Sequence, residues 1–353
     1  MSPQLSRTGE WFLGSGIQQT NGGVARYYLV DSRRNLPVST EITGYAVSAL
    51  VYLHSRSHDE RYLEAARRAA RFLARTAWDS NLHAMPFEVD PAAYTYFFDC
   101  GIIARGLLAA WRATGDEEFL GVAVQVGDAM MRDFAGPDSY HPILALPAKT
   151  AEPRDPLRWS RTAACYQLKS AMAWLDLADA AGETRFREPY ERVLECSLAG
   201  YRDFLPGHPD PERVMDRLHA FCYFLEGLLP RAADPRCATA MADGIAHTAR
   251  HLREIAPVFE RCDVYAQLLR IRLFADCAGA VPLDRTAAAE EAAQLAAFQA
   301  ADSDPRVDGG YWFGRKGRNW MPFVNPVSTA FAGQALELWH AGAQAQLHRH
   351  LLI

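Results

Sequence analysis

The sequence predicts an all-α protein: an (α/α)6 barrel, or toroid, of about six helical hairpins that forms a single domain over residues 1–353. Three observations predict it. Six apolar stretches of helical length recur with starts roughly 45 to 65 residues apart, a spacing at which internal repeats mean stacked supersecondary units. Five amphipathic stretches rich in Ala, Arg and Glu alternate with them, apolar on one face only, as in helices of a half-exposed outer layer. The junctions repeat as well: 57–62 (Ser-His-Asp-Glu-Arg-Tyr), 114–119 (Thr-Gly-Asp-Glu-Glu-Phe) and 181–186 (Ala-Gly-Glu-Thr-Arg-Phe) each place an acid ahead of an outer helix, with an aromatic three residues later. An acid there suits the helix dipole.

In chain order, Leu5 to Leu13 supplies the twelfth helix. Thr40 to His54 is the first buried helix, with Ser39 and Thr40 at its start and Glu41 in its first turn, and Asp59 to Trp78 is its outer partner. Tyr96 to Ala113 is the second buried helix, followed by Asp116 to Phe134; Arg161 to Ala180 is the third, followed by Glu183 to Phe204. Met215 to Leu229 is too apolar for a surface helix, yet carries Asp216, His219, Tyr223 and Glu226 along one helical stripe. Polar groups inside a core are costly, so the stripe implies either a polar cavity or internal pairing. Asp234 to Ile255, Cys262 to Ala278, Asp284 to Ala301 and Asn325 to Trp339 continue the alternation, and His340 to Ile353 forms a closing tail.

The loops are lopsided. Leu82 to Thr95, Ala135 to Ser160, Pro206 to Val214 and Asp302 to Val324 all precede buried helices and are longer than most returns. Long loops on a rigid scaffold are where sites usually lie, which puts the functional face at the N-terminal ends of the buried helices.

With this hairpin pattern, and segments such as 41–45 (Glu-Ile-Thr-Gly-Tyr) and 325–329 (Asn-Pro-Val-Ser-Thr), the chain resembles the six-hairpin glycosidase-like superfamily over nearly its whole length. The resemblance implies a carbohydrate-active protein: a glycoside hydrolase, polysaccharide lyase or sugar epimerase. No member family's catalytic motif is present, so the resemblance assigns no residue a role.

Composition narrows the partners. A net charge of -5 with pI about 6.1 offers no basic surface for nucleic acid. The first 20 residues lack the basic start and apolar run of a secretory signal, and no later run approaches a membrane span, so a soluble, cytoplasmic protein is expected. Seven cysteines spread without CxxC fit reduced thiols. Cys100, Cys165, Cys222 and Cys262 fall early in buried helices, but zinc-ligand spacing is missing, and neither metal nor organic cofactor is expected.

Candidate catalytic residues are Asp99, Asp216, His219, Asp263 and Tyr166. Asp216 and His219 are one turn apart, so the acid can orient an imidazole that transfers protons near neutral pH; the competing reading is a mutually satisfied buried pair. Asp99 and Asp263 open two more buried helices among apolar neighbours, and converging carboxylates are what glycoside chemistry uses, one as acid and another as base or nucleophile. Glu41 joins them as a substrate-binding candidate, against a capping role. Tyr166 is an alternative acid or base, and Arg161 and Lys169 can neutralise a sugar carboxylate. In 308–320 (Asp-Gly-Gly-Tyr-Trp-Phe-Gly-Arg-Lys-Gly-Arg-Asn-Trp), Trp312 can stack on a sugar while Arg315, Lys316 and Asn319 bind an anionic one. Arg26, in the similar 21–28 segment, and Trp159, on another rim loop, complete the set. Together they point to hydrolysis, elimination or epimerisation of an acidic or uronic-acid-containing saccharide. A non-catalytic saccharide-binding scaffold and a prenyl or terpene enzyme are the alternatives, the last lacking its acidic metal-diphosphate motif.

Overall fold

The computed structural model describes residues 1–155, 157–256, 258–342 and 348–353. Part of the tail expected after His340 therefore lies outside the described residues. Among these residues there are twelve α-helices: α1 (Pro3–Gly14), α2 (Thr40–Ser57), α3 (Glu60–Arg71), α4 (Phe97–Thr114), α5 (Glu117–Asp133), α6 (Gln167–Ala181), α7 (Arg187–Gly200), α8 (Pro211–Leu228), α9 (Pro235–Ile255), α10 (Cys262–Cys277), α11 (Arg285–Ala296) and α12 (Pro326–Ala341). Every expected helix is present, and the buried and half-buried ones alternate. No described helix is long and apolar enough to cross a membrane.

The repeated junctions act as caps where the acid is aspartate. Asp59 accepts from the Arg61 N–H and Asp116 from the Glu118 N–H, and Asp234 and Asp284 do the same for α9 and α11. Glu183 does not: it precedes a single 3-10 turn, Thr184–Phe186, and makes no side-chain cap. Two inner helices also start elsewhere than expected. Asp210 caps the Glu212 N–H and Pro211 fits the first helical position, so α8 begins ahead of Met215. The third inner helix begins at Gln167, because Trp159–Arg161 forms its own 3-10 turn.

The chain divides into two compact units. One comprises Gln18–Arg26 and Pro37–Ala199. In it α2 packs on α3 and α4, and α4 on α5 and α6. Glycines set the approach: a Cβ on Gly106 would lie 2.5 Å from the Gly44 carbonyl oxygen, and one on Gly101 would lie 2.0 Å from Ser170 Oγ. Ser170 in turn donates to the Phe97 and Phe98 carbonyls at 2.8 and 2.9 Å, tying α6 to the start of α4. Phe97, Tyr140 and Trp174 pack together behind it.

The other unit comprises Met1–Ile17, Tyr27–Leu36 and Gly200–Ile353. Here α10 packs on α8, α9, α11 and α12, and α1 lies on α12, with Thr8 Cγ2 3.0 Å from where a Cβ on Gly333 would sit. Buried ion pairs link these helices: Arg270 to Glu226 at 2.5 Å, and Arg272 to Glu291 at 2.9 Å. Glu226 is thus a structural acceptor.

The long loops contain β-structure that the helical periodicity did not reveal. Three antiparallel sheets of three strands each are ordered β2-β1-β9 (Arg34–Asn35, Tyr28–Leu29, Phe323–Val324), β3-β4-β5 (Tyr94–Tyr96, Ile143–Ala145, Thr150–Ala151) and β6-β7-β8 (Phe259–Arg261, Gly314–Lys316, Asn319–Trp320). β3 runs directly into α4 and β6 directly into α10. This fixes the first turns of these two helices, where Asp99 and Asp263 stand.

Candidate active sites

In the unit containing α2 to α6, the structure brings Glu41, Asp99 and Tyr166 into one electrostatic neighbourhood. Asp99 is 5% exposed, and its Oδ2 meets no hydrogen-bond partner among the described residues. Burial and the adjacent Glu41 charge push its carboxyl well above the usual carboxylate range. Glu41 is half-buried, and desolvation pushes its carboxyl up to about 7. Burial raises Tyr166 too, with Cys165 and Asp99 adding to it, and its hydroxyl donates to the Ser160 carbonyl at 3.3 Å.

Tyr166 and Tyr96, which both feel the Asp99 charge, belong to aromatic clusters. Trp159 meets Tyr166 edge-on at 5.1 Å, Phe98 lies 6.2 Å from Tyr166, and Phe87 lies 5.3 Å from Tyr96. Arg26 sits over Phe87 at 5.2 Å and binds Glu88 at 2.6 Å. Arg161 pairs with Glu152 at 3.3 Å. Lys169 is fully buried in the first turn of α6.

In the other unit, the stripe on α8 is arranged differently from the expected acid-histidine turn. Asp216 is one turn before His219, but its side chain is 51% exposed and accepts from Arg261 Nη1 at 2.7 Å. The acid at His219 is Asp263, whose Oδ2 lies 3.2 Å from Nδ1, and Gln267 Oε1 lies 2.8 Å from the same nitrogen. Two acceptors around Nδ1 place the proton there and leave Nε2 as the lone pair of a neutral ring. Burial holds the His219 pKa below its ordinary value despite Asp263. For Asp263, burial alone would raise the pKa, but the Arg261 guanidinium and His219 bring it below the usual range.

Arg261 and Gln267 belong to this cluster, and the sequence reading passed them over. Gln267 stands one turn after Asp263 on α10, a spacing visible in the sequence; its Nε2 is buried without a partner among the described residues. Arg261 is two residues before Asp263 in β6, and only the strand-to-helix turn brings them face to face.

The 308–320 loop folds as β7 and β8 with their flanks. Trp312 is half-buried and stacked on Trp320 at 6.4 Å. Arg315 binds Glu260, Lys316 binds Glu212 at 2.7 Å, and Asn319 is exposed. A cavity of about 450 Å3 also lies in this unit; Arg315 is the one expected site residue that lines it. Among the described residues, no group of three or more His, Cys, Asp or Glu has metal-holding geometry.

No family model matches the sequence, and no curated protein does. Solved structures do match. Cellobiose 2-epimerase from Spirochaeta thermophila superposes with a TM-score of 0.70 at 15% identity, covering 96% of this chain and 96% of that one. Cellobiose 2-epimerase from Bacillus thermoamylovorans gives 0.71 at 11% identity, covering 96% and 100%. Unsaturated glucuronyl hydrolase from Streptococcus agalactiae gives 0.68 at 10% identity, covering 98% and 92%. The chain shares the (α/α)6 toroid fold of these structures.

Proposed function

We propose that this chain is a carbohydrate-active enzyme that hydrolyses a glycosidic bond, with Asp99 as the proton donor and Glu41 as its paired carboxyl. The observation that carries the reading is Asp99 itself: a buried carboxyl, one oxygen unpartnered among the described residues, near enough to Tyr96 and Tyr166 for its charge to act on both. A buried carboxylic acid kept protonated is what protonation of a leaving glycosidic oxygen requires. A second carboxyl titrating near 7 beside it supplies the complementary base or nucleophile. Trp159, half-buried on its rim loop, offers a face for the sugar. The matched structures, two epimerases and a hydrolase of saccharides, support the substrate class by fold.

One specific observation favours a second reading. A neutral His219 with its proton held on Nδ1 is arranged as a base at Nε2, which suits proton abstraction from a sugar carbon, and hence epimerisation or elimination. The narrower proposal of an acidic saccharide draws less support. Arg26, Arg161, Arg315 and Lys316 each already bind a carboxylate, which an incoming uronate would have to displace.

The test is a panel of neutral and uronate oligosaccharides, followed both by reducing ends and by the ultraviolet absorbance of an unsaturated uronate. Asp99→Asn should cut release of reducing ends by about 10² to 10⁴, while His219→Gln leaves most of it. The opposite pattern, with epimer or unsaturated product, moves the chemistry to His219. No turnover of any saccharide leaves a non-catalytic scaffold and sinks the enzyme reading.

A further inference from the structure

β6 separates two chemical environments. Successive side chains of a strand point to opposite faces. Arg261 reaches Asp263 and Asp216 beside His219, whereas Glu260 points into the cavity of about 450 Å3. None of the cavity's lining residues belongs to the His219 cluster or to the Asp99 pair.

One wall of this cavity is α9 and its C-cap, an apolar strip of Ala249, Leu252 and the capping Ala256 with Arg253 beside it. Another is α11, with Glu290, Glu291 and Gln294. Glu260, Tyr265 and Arg315 complete the lining. The buried carboxylates here are already neutralised: Glu291 receives two guanidinium nitrogens of Arg272, and Glu260 receives Arg315 and the Tyr265 hydroxyl, the latter at 2.9 Å. Neutralised carboxylates still carry lone pairs that accept from hydroxyls, and Arg253, Arg315 and Gln294 donate. Donors and acceptors thus stand around an aliphatic strip without a net charge to offer, which is complementary to a sugar ring with hydroxyls at its edge and C–H groups on its face.

The volume falls within the range of small-molecule sites, roughly 300 to 1,000 Å3, and admits one or two pyranose rings. Beyond the cavity lies a ledge. Trp320 is 38% exposed, its ring stacked on Trp312, and the Arg315 guanidinium lies 5.6 Å over it, so one side chain joins cavity to ledge.

We propose that this cavity is a separate saccharide-binding site for a neutral disaccharide unit, with Trp320 as a platform for the next ring. It binds rather than reacts, and holds an oligosaccharide on the opposite side of β6 from His219.

Binding of cellobiose, maltose and chitobiose to the full chain, followed by calorimetry and saturation-transfer NMR, tests this. At least one should bind. Leu252→Trp, which fills the cavity, and Glu290→Ala, an exposed change that leaves the core intact, should each weaken binding about tenfold or more, and Trp320→Ala should do so for a trisaccharide. Asp99→Asn and His219→Gln should leave this binding unchanged, whichever reading of the chemistry holds. Binding of none of the three sugars overturns the site. So does binding abolished by Asp99→Asn or His219→Gln but indifferent to both Leu252→Trp and Glu290→Ala.

Discussion

Arg261 holds Asp263 by two parallel hydrogen bonds, Nε to Oδ1 at 2.9 Å and Nη2 to Oδ2 at 2.5 Å. Both side chains are buried, the arginine resting 4.5 Å over the Phe313 ring. The clamp keeps Asp263 charged where burial alone would protonate it. Asp263 is therefore held charged beside His219, unlike Asp99, which is equally buried but has no cation against it among the described residues.

Removing the cation should expose this dependence. Arg261→Met leaves a buried, uncompensated carboxylate and should cost about 3–5 kcal/mol in urea unfolding. Adding Asp263→Asn should recover part of the loss. A single-variant cost below about 1 kcal/mol would show that the clamp contributes little to stability.

Glu41 sets a pH dependence of opposite sense. Its folded pKa of about 7 lies above the ordinary value of 4.5, so the unfolded chain releases the proton first. The contribution is fully present below pH 4.5 and is lost as pH rises through 7. Glu41→Gln should remove this loss, raising stability at pH 8 relative to pH 5 by about 1–3 kcal/mol. Unfolding curves at the two pH values check it, and equal ΔΔG at both would refute it.

His219 runs the other way. Its folded pKa lies below 6.5, so its contribution is present above that value and lost as pH falls towards the folded pKa. Stability should decline on acidification below pH 6.5, and His219→Gln should flatten that part of the profile. If His219 is the base, the acid limb of kcat/KM should also sit below 6.5 and vanish in the variant.

The glycine contacts around α4 should be intolerant. Gly101→Ala drives a Cβ into the Ser170 backbone and hydroxyl, and Gly106→Ala into the α2 backbone at Gly44. Backbone cannot rotate away, so each should cost about 2 kcal/mol or more by thermal unfolding. Gly121→Ala, where nothing lies within 4 Å, serves as the control and should be neutral or mildly stabilising.

Lys316 should matter little. Its pair with Glu212 has both side chains nearly half exposed, and such pairs are worth about 0–1 kcal/mol. Lys316→Gln should leave stability nearly unchanged. A selective loss of affinity for uronate over neutral oligosaccharides would restore the anionic reading of the rim.

The helices were legible because burial writes itself into periodicity: α2, α4, α8, α10 and α12 are apolar nearly all round, and aspartates mark their partners. Asp99 and His219 were legible for the same reason, as polar residues where apolar ones belong. The partner of His219 was not. Helical spacing nominated Asp216, one turn away, but a residue at that offset can turn outward, and Asp216 does. Asp263 is 44 residues later, and its closeness depends on β6 feeding α10, a tertiary fact. The short strands escaped notice because two or three residues carry no readable alternation. The ion pairs of Arg26, Arg315 and Lys316 join residues far apart in sequence, so a loop rich in cations read as an anion site with no sign that Arg315 and Lys316 meet Glu260 and Glu212.

The three-residue length of β6 gives the chain a strict reading frame at this point. Glu260 opposes Arg315 across the ladder and Arg261 opposes Gly314, where a side chain would strike the Glu260 carbonyl. Deleting or inserting one residue within β6 would exchange the two sides, presenting a carboxylate to His219 and a guanidinium to Tyr265. A chimera grafted at this loop therefore keeps both environments only if its junction preserves the count from Phe259 to Asp263.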